Sequence, residues 1–111
     1  METHRENCEE RAKAFCDYRE NTPKLETELG WGQEGFVWET TRGSAIKVYR
    51  PDAQLNFNRE LRAYGILSHS NISNIAGFEV HQLLDHDQLL QVIEITLVEL
   101  PFILDFGKVY F

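Results

Sequence analysis

A glycine-rich stretch between two strand-like segments is the feature that most constrains the fold of this chain. The stretch Gly30-Trp31-Gly32-Gln33-Glu34-Gly35 is followed directly by residues 36–40, whose aromatic and β-branched side chains favour a strand. A short strand is predicted before the glycines at residues 25–29, and another at residues 45–49 after a turn at Arg42-Gly43-Ser44. Connections this short join antiparallel strands, because a parallel pair needs a long crossover.

The remaining segments complete a small α+β arrangement. Thr3 followed by Glu6 is a capping-box pattern, and it marks the start of an amphipathic helix. The further predicted elements are helices over residues 3–20 and 53–68 and strands over residues 78–84 and 89–96, with a turn at Asp85-His86-Asp87 between these strands. We therefore expect an α+β fold: a five-stranded antiparallel sheet with one packed helix, plus the N-terminal amphipathic helix.

The composition limits the classes of function. The 111 residues carry 11 Lys and Arg against 18 Asp and Glu, and the net charge of −7 disfavours nucleic-acid binding, which needs a basic face. Cys8 and Cys16 lie about 12 Å apart in one predicted helix, too far for a disulfide. The sequence shows neither a membrane-spanning apolar run nor a signal peptide. We expect a cytoplasmic protein that binds neither membrane nor nucleic acid.

Gly30, Gly32 and Gly35 form the pattern G-x-G-x-x-G, which by itself is a weak signal for phosphate binding. In a dinucleotide-binding fold these glycines open a helix, but residues 36–40 favour a strand, so that interpretation fails. A glycine-rich hairpin folded over a nucleotide would instead bring backbone N–H groups to the phosphates. An ordinary hairpin without a ligand accounts for the same residues.

Two charged residues stand among apolar ones downstream of the glycines. Lys47 is central in its strand, and it either points to solvent or lies beneath the glycine-rich loop, where its ammonium would meet phosphate charge. Glu60 shares a helix face with apolar residues. It either reaches inward to a lysine on the sheet or pairs locally with Arg59 or Arg62.

Taken in order, these segments resemble the small lobe of a eukaryotic-type protein kinase. The matching pattern is L-G-x-G-x-x-G-F-V, then A-I-K-V, then a helix bearing a Glu, with Ser44 where the family's V-A-I-K strand has Val. His69-Ser70-Asn71-Ile72 resembles the family's H-P-N-I segment, with Ser70 in place of Pro. The run L-L-Q-V-I-E at residues 89–94 resembles its fifth strand.

The resemblance implies an ATP site, with Mg²⁺ as a second cofactor. Lys47 would hold the α- and β-phosphates and pair with Glu60 in the active arrangement. The resemblance also implies that the loop glycines Gly30, Gly32 and Gly35 cover the phosphates. The apolar side chains around the adenine would be Val37, Ala45 and the gatekeeper Ile93, and backbone groups of Glu94 and Thr96 would bond the adenine edge.

The catalytic loop H-R-D-x-x-x-x-N of a working kinase does not occur in the sequence. Asp105-Phe106-Gly107 reads D-F-G, the family's magnesium motif, but it follows Glu94 too closely for a catalytic loop to intervene. We therefore interpret it as a coincidence and predict no metal site, with Asp105 as the alternative metal ligand.

The expected domain organisation is a helix and linker at residues 1–24, a kinase-like small lobe at 25–96 and an apolar tail at 97–111. The implied function is an ATP-binding half-site without phosphotransfer machinery of its own. Two alternatives stay open: the N-terminal fragment of an active kinase, and a non-catalytic, pseudokinase-like interaction module. A homodimer or another protein partner is expected to cover the base of the lobe, with the tail at residues 97–111 folding back over it as the alternative.

Overall fold

The fold is given by a computed structural model that describes residues 3–32, 34–69, 74–75, 78–97 and 103–104. Within these residues the helices are α1 (His4–Asp17) and α2 (Gln54–His69), and a 3₁₀ turn (Pro51–Ala53) leads into α2. The strands are β1 (Pro23–Gly32), β2 (Gly35–Thr40), β3 (Ser44–Tyr49), β4 (Asn74–Ile75), β5 (Phe78–Val80), β6 (Leu83–Asp87), β7 (Val92–Thr96) and β8 (Ile103–Leu104). No helix in the described part of the chain is long and apolar enough to cross a membrane.

Five strands form one antiparallel sheet in the order β1-β2-β3-β7-β6. Strands β1, β2 and β3 precede α2 along the chain, whereas β6 and β7 follow it, and β7 joins the two groups by pairing with β3. This confirms the predicted α+β fold with a five-stranded antiparallel sheet and two helices. A second, smaller sheet was not predicted: β4, β5 and β8 pair in that order, with β5 and β8 parallel.

The third strand runs through the middle of the main sheet with both of its faces covered. Ile46 and Val48 pack with residues of α1, whereas Ala45 and Tyr49 pack with residues of α2. Successive side chains of a strand point to opposite faces, so Lys47 lies on the α2 face of the sheet. All six residues of β3 are buried.

Helix α1 covers the opposite face of the sheet from α2. Its start is capped as the sequence predicts, because Thr3 Oγ1 accepts a hydrogen bond from the Glu6 N–H at 3.0 Å. Arg11 fastens the helix to the sheet by donating to the carbonyl oxygens of Tyr49 and Leu90, each at 2.6 Å. The buried side chains of the helix recur at helical spacing: Cys8, Ala12, Phe15 and Cys16.

The predicted turn at Asp85-His86-Asp87 is wrong, since these residues end strand β6. The turn follows at residues 88–91, where Asp87 Oδ1 accepts a hydrogen bond from the Leu90 N–H at 2.9 Å and Gln91 adopts a φ of 55°. Asp85 is held in the strand by Arg19, whose Nε lies 2.6 Å from Asp85 Oδ2. Side-chain capping and a left-handed residue therefore place this turn later than its composition indicated.

Other boundaries also differ from prediction: β1 spans Pro23–Gly32 instead of residues 25–29, and β7 begins at Val92 instead of residue 89. The run expected as a single strand over residues 78–84 is divided between β5 in the small sheet and β6 in the main sheet. The first helix ends at Asp17 instead of residue 20, and residues 18–20 form a turn in which Glu20 has a φ of 54°. A left-handed residue cannot continue a right-handed helix, so the helix ends before it.

Candidate functional site

The sheet and α2 bring together the two charged residues that the sequence singled out. Lys47 Nζ lies 2.9 Å from Glu60 Oε1 and 3.0 Å from Glu60 Oε2. Both side chains are at least nine-tenths buried, with exposed fractions of 10% for Lys47 and 6% for Glu60. Lys47 therefore does not point to solvent, and Glu60 reaches inward to a lysine on the sheet.

Helix α2 carries Glu60 within its buried side. Phe57 and Tyr64 are buried on either side of it, at spacings of three and four residues that keep all three on one helix face. Arg59 and Arg62, the local partners considered from the sequence, are exposed. The helical period of 3.6 residues therefore puts Glu60 on the side of α2 that faces the sheet. The two-residue alternation of β3 puts Lys47 on the sheet face that α2 covers.

A second carboxylate, which the sequence analysis missed, also contacts Lys47. Glu34 Oε1 lies 3.2 Å from Lys47 Nζ, and the Glu34 side chain is 19% exposed. The Glu34 carbonyl oxygen accepts a hydrogen bond from the Arg50 N–H at 2.8 Å, which holds this end of the β1–β2 hairpin against the end of β3. The position of Glu34 next to Gly35 was visible in the sequence, but its contact depends on how the hairpin packs.

An apolar row extends from Lys47 across the neighbouring strands. Val37 and Ile93 are the direct cross-strand partners of Lys47 in β2 and β7, and residues paired in this way lie on the same face of a sheet. Ala45 lies on that face as well, two residues from Lys47 along β3. Gly30 is the partner of Val37 in β1, so the row reaches the glycine-rich segment. With Glu60, the structure thus brings together six of the residues predicted from the sequence: Gly30, Val37, Ala45, Lys47, Glu60 and Ile93.

Gly35, the third glycine of the motif, has a packing role. A Cβ atom at this position would overlap the Val48 carbonyl oxygen and lie 2.9 Å from Tyr49 Cα, so β2 could not approach β3 as it does with any other residue there. Gly35 is the cross-strand partner of Tyr49. Close backbone approach therefore accounts for this glycine without a ligand.

Glu94 and Thr96 lie in β7, and their polar groups have partners. The Glu94 carboxylate accepts a hydrogen bond from Ser44 Oγ at 2.6 Å, and its backbone lies in the sheet between β3 and β6. The Thr96 N–H donates to the Gln82 carbonyl oxygen at 2.9 Å, and the Thr96 carbonyl oxygen lies 2.7 Å from His81 Nδ1. The side chain of Glu94 points to the α1 face, away from Lys47.

A cavity of about 320 Å³ lies beside that carboxylate and not beside Lys47. It is lined by Arg19, Arg42, Ser44, Leu84, Asp85 and Glu94. Because Ser44 and Glu94 project from the opposite face of the sheet from Lys47, this cavity takes no part in the candidate site.

Several sequence-based predictions lie outside the described residues. These include the segment Asp105-Phe106-Gly107, with its alternative metal ligand Asp105, and Ser70-Asn71-Ile72 of the H-P-N-I-like segment. Among the residues that the structure describes, no group of three or more His, Cys, Asp or Glu side chains could hold a metal ion.

No protein-family model, curated protein or solved structure matches this chain. At the level of fold the chain is a small α+β domain with a five-stranded antiparallel sheet and two helices. Its candidate site is the buried contact of Lys47 with Glu60 and Glu34, continued by the apolar row over β2, β3 and β7.

Proposed function

We propose that this chain is a protein-kinase-like small lobe that binds ATP in a half-site and has no phosphotransfer machinery in its own sequence. The observation that carries the proposal is the buried ion pair between Lys47 of β3 and Glu60 of α2. In protein kinases an ion pair between the third strand and the following helix must be in place for the lysine to hold the nucleotide phosphates.

The stability of the domain does not by itself account for such a pair. Taking two charges out of water is costly, and apolar side chains of similar volume often stabilise a core as well or better. Lys47 and Glu60 are surrounded by Tyr49, Phe57 and Ile93, which belong to one apolar cluster. An ammonium kept at this position is therefore better explained by a ligand that requires positive charge than by packing alone.

The apolar row supplies the second requirement of a nucleotide site. Val37, Ala45 and Ile93 are the apolar side chains that would contact the adenine, and Lys47, in the same row, would meet the phosphates. Ala45 and Ile93 are buried in the described structure, so the adenine would have to displace the side chains that pack on them. Thr96 would contribute its carbonyl oxygen to the adenine edge, because a carbonyl accepts a second hydrogen bond beside the one at His81. The backbone of Glu94 lies between two strands, so we assign no adenine contact to it.

Mg²⁺ would arrive with the phosphates. Magnesium commonly binds through phosphate oxygens and one or two carboxylates while it keeps several waters. Glu34 and Glu60 are the carboxylates next to Lys47.

The two buried free thiols, Cys8 and Cys16, suit a reducing compartment such as the cytoplasm.

A second candidate function is a non-catalytic interaction module in which the same residues serve as structure. Two observations favour it: Gly35 is explained by its contact with Val48, and Lys47 is already engaged by two carboxylates. In that case the buried ion pair of Lys47 with Glu60 would hold α2 on the sheet, and no nucleotide would bind.

Calorimetric titration of ATP, with and without Mg²⁺, separates these functions. We expect saturable binding by the wild type that is lost in Lys47→Met and retained in Lys24→Met, a matched control whose partly exposed ion pair with Glu39 joins β1 to β2. Circular dichroism checks that each variant is folded. Absence of saturable binding at millimolar ATP in every protein that retains Lys47 would contradict the nucleotide-site proposal and favour the interaction module.

A further inference from the structure

The Lys47 ammonium is contacted by more negative charge than it carries. Glu60 approaches it with both oxygens at 2.9 and 3.0 Å, and Glu34 approaches with one oxygen at 3.2 Å. One ammonium and two carboxylates have a net charge of −1. A site that is to receive phosphate oxygens at Lys47 is therefore already occupied by anionic oxygens.

The two carboxylates are held very differently. Glu60 projects from the middle of α2, is 6% exposed and makes a two-oxygen contact. Glu34 projects from the connection between β1 and β2, is 19% exposed and makes a single-oxygen contact. Of the two, Glu34 is the carboxylate that can leave Lys47 by rotation of its side chain toward solvent.

The Glu34 backbone need not move for this exchange. Its carbonyl oxygen is held by the Arg50 N–H, and the neighbouring Gly35 is packed against Val48. With the main chain fixed at these two points, only the carboxylate has to be replaced. Phosphate oxygens are suitable replacements, because a lysine ammonium acts as a point charge toward either anion.

We propose that Glu34 is an internal competitor for the nucleotide phosphates, an inference that rests on the proposed ATP site. Its carboxylate neutralises Lys47 when no nucleotide is present, and the ATP phosphates displace it on binding. Phosphate added beside both carboxylates would be a third anionic group at one ammonium and would be repelled by Glu34, so the affinity for ATP is lowered by the free energy needed to remove Glu34. Glu34 thereby regulates occupancy of the site without contacting the adenine.

The same contact has a different interpretation if Glu34 is a magnesium ligand beside the phosphates. The two roles predict opposite effects of removing its charge. A competitor weakens ATP binding, so its loss tightens binding with or without Mg²⁺. A metal ligand strengthens binding, so its loss weakens binding and does so only when Mg²⁺ is present.

Titration calorimetry of Glu34→Gln and Glu34→Ala tests the proposal. The matched control is Glu39→Gln, which removes the same charge from the partly exposed pair that Glu39 of β2 makes with Lys24 of β1. We expect both Glu34 variants to bind ATP about tenfold more tightly than the wild type and the control, with and without Mg²⁺. Adenosine, which has no phosphate, should bind all four proteins equally.

The outcomes distinguish this inference from the proposed function. If the wild type binds ATP and the Glu34 variants bind it no more tightly, the competitor role is overturned while the ATP site stands. Weaker binding confined to Mg²⁺-containing solutions assigns Glu34 to the metal and also overturns the competitor role. If none of the four proteins binds ATP, the proposed function fails and the inference fails with it. Tighter binding of adenosine by the Glu34 variants would likewise contradict a phosphate-specific effect.

Discussion

Lys47 and Glu60 lie thirteen residues apart on different elements, and the Lys47 Nζ meets both oxygens of the Glu60 carboxylate at 2.9 and 3.0 Å. The contact is buried between the sheet and α2, so the attraction between the two charges is needed to offset the hydration that each of them loses. Removing one partner of such a pair leaves an uncompensated buried charge, which commonly costs about 3–5 kcal/mol.

A double-mutant cycle measures this dependence. We expect Lys47→Met and Glu60→Leu each to lower the free energy of unfolding by about 3 kcal/mol, and the double variant to lose much less than the sum. Urea denaturation followed by circular dichroism provides the measurement. The exposed pair of Arg5 with Glu28, at 3.2 Å, serves as the comparison and should couple by less than about 1 kcal/mol. Additive losses at Lys47 and Glu60 would contradict the buried pair.

Two glycines are expected to respond in opposite directions to the same substitution. Gly35→Ala would drive a Cβ atom into the Val48 carbonyl, and backbone cannot give way as a flexible side chain can, so we expect a loss of about 1–3 kcal/mol. Gly65 lies inside α2 with nothing within 4 Å of an added Cβ, and Gly65→Ala should stabilise the domain by about 0.5–1 kcal/mol.

Chemical denaturation of the two variants beside the wild type provides the test. Because the substitutions are chemically identical, their difference isolates the packing at Gly35 from any general effect of alanine. A neutral or stabilising Gly35→Ala would mean that β2 does not lie against β3 as closely as the structure has it.

The contact of Arg19 with Asp85 should make stability depend on acid pH. Burial acts to raise the pKa of Asp85, but the hydrogen bond from Arg19 and the one from the His86 N–H outweigh it, so the pKa is lowered from its ordinary value of 3.8. A carboxylate whose folded pKa is depressed contributes stability above the unfolded pKa, and that contribution is lost as the pH falls through the folded pKa.

Urea unfolding of the wild type and Asp85→Asn over a pH series measures this contribution. We expect Asp85→Asn to be the less stable protein at pH 7 and the difference to shrink as the pH falls below 3.8. In an Arg19→Met background the same substitution should show a smaller pH dependence, since the His86 N–H is then the hydrogen-bond donor that still lowers the pKa of Asp85. A pH-dependent difference that is undiminished without Arg19 would contradict the assignment.

The residues by themselves left two alternatives for Lys47 and two for Glu60, and two local periods explain why the structure brings the pair together. Alternation along β3 and the helical stripe through Phe57 and Tyr64 fix the faces of both residues once the helix packs on the sheet. Glu34 could not be predicted in this way, because its contact depends on the packing of the hairpin against β3. That packing is set by Gly35 against Val48, a tertiary contact with no local signature.

The error at residues 85–87 has a similar origin. Asp and His side chains in sequence are typical of a turn, yet Asp85 is tied to Arg19, which is distant along the chain. The left-handed residue that the turn requires is supplied by Gln91, a residue type without a strong preference for that conformation. Long-range pairing therefore overrode local composition at this strand.

The buried thiol of Cys16 should be unreactive in the folded protein at mildly alkaline pH. Burial raises the pKa of Cys16 from 9.0 to about 11, and the negative charge of Glu94 adds to this, while Arg19 opposes it. The thiolate is the reactive form, so the folded protein should react with a thiol reagent at pH 8 only as fast as it unfolds. In urea the same thiol should label rapidly.

The sign of the pH effect on stability follows from the raised pKa of Cys16. Below pH 9 the thiol is protonated in both states, whereas between pH 9 and about 11 the unfolded chain loses the proton first and is favoured. The free energy of unfolding should therefore fall across this range, and fall less steeply in Cys16→Ala than in the wild type. Equal slopes in the two proteins, or rapid labelling of native Cys16 at pH 8, would show that this thiol is not enclosed between α1 and the sheet.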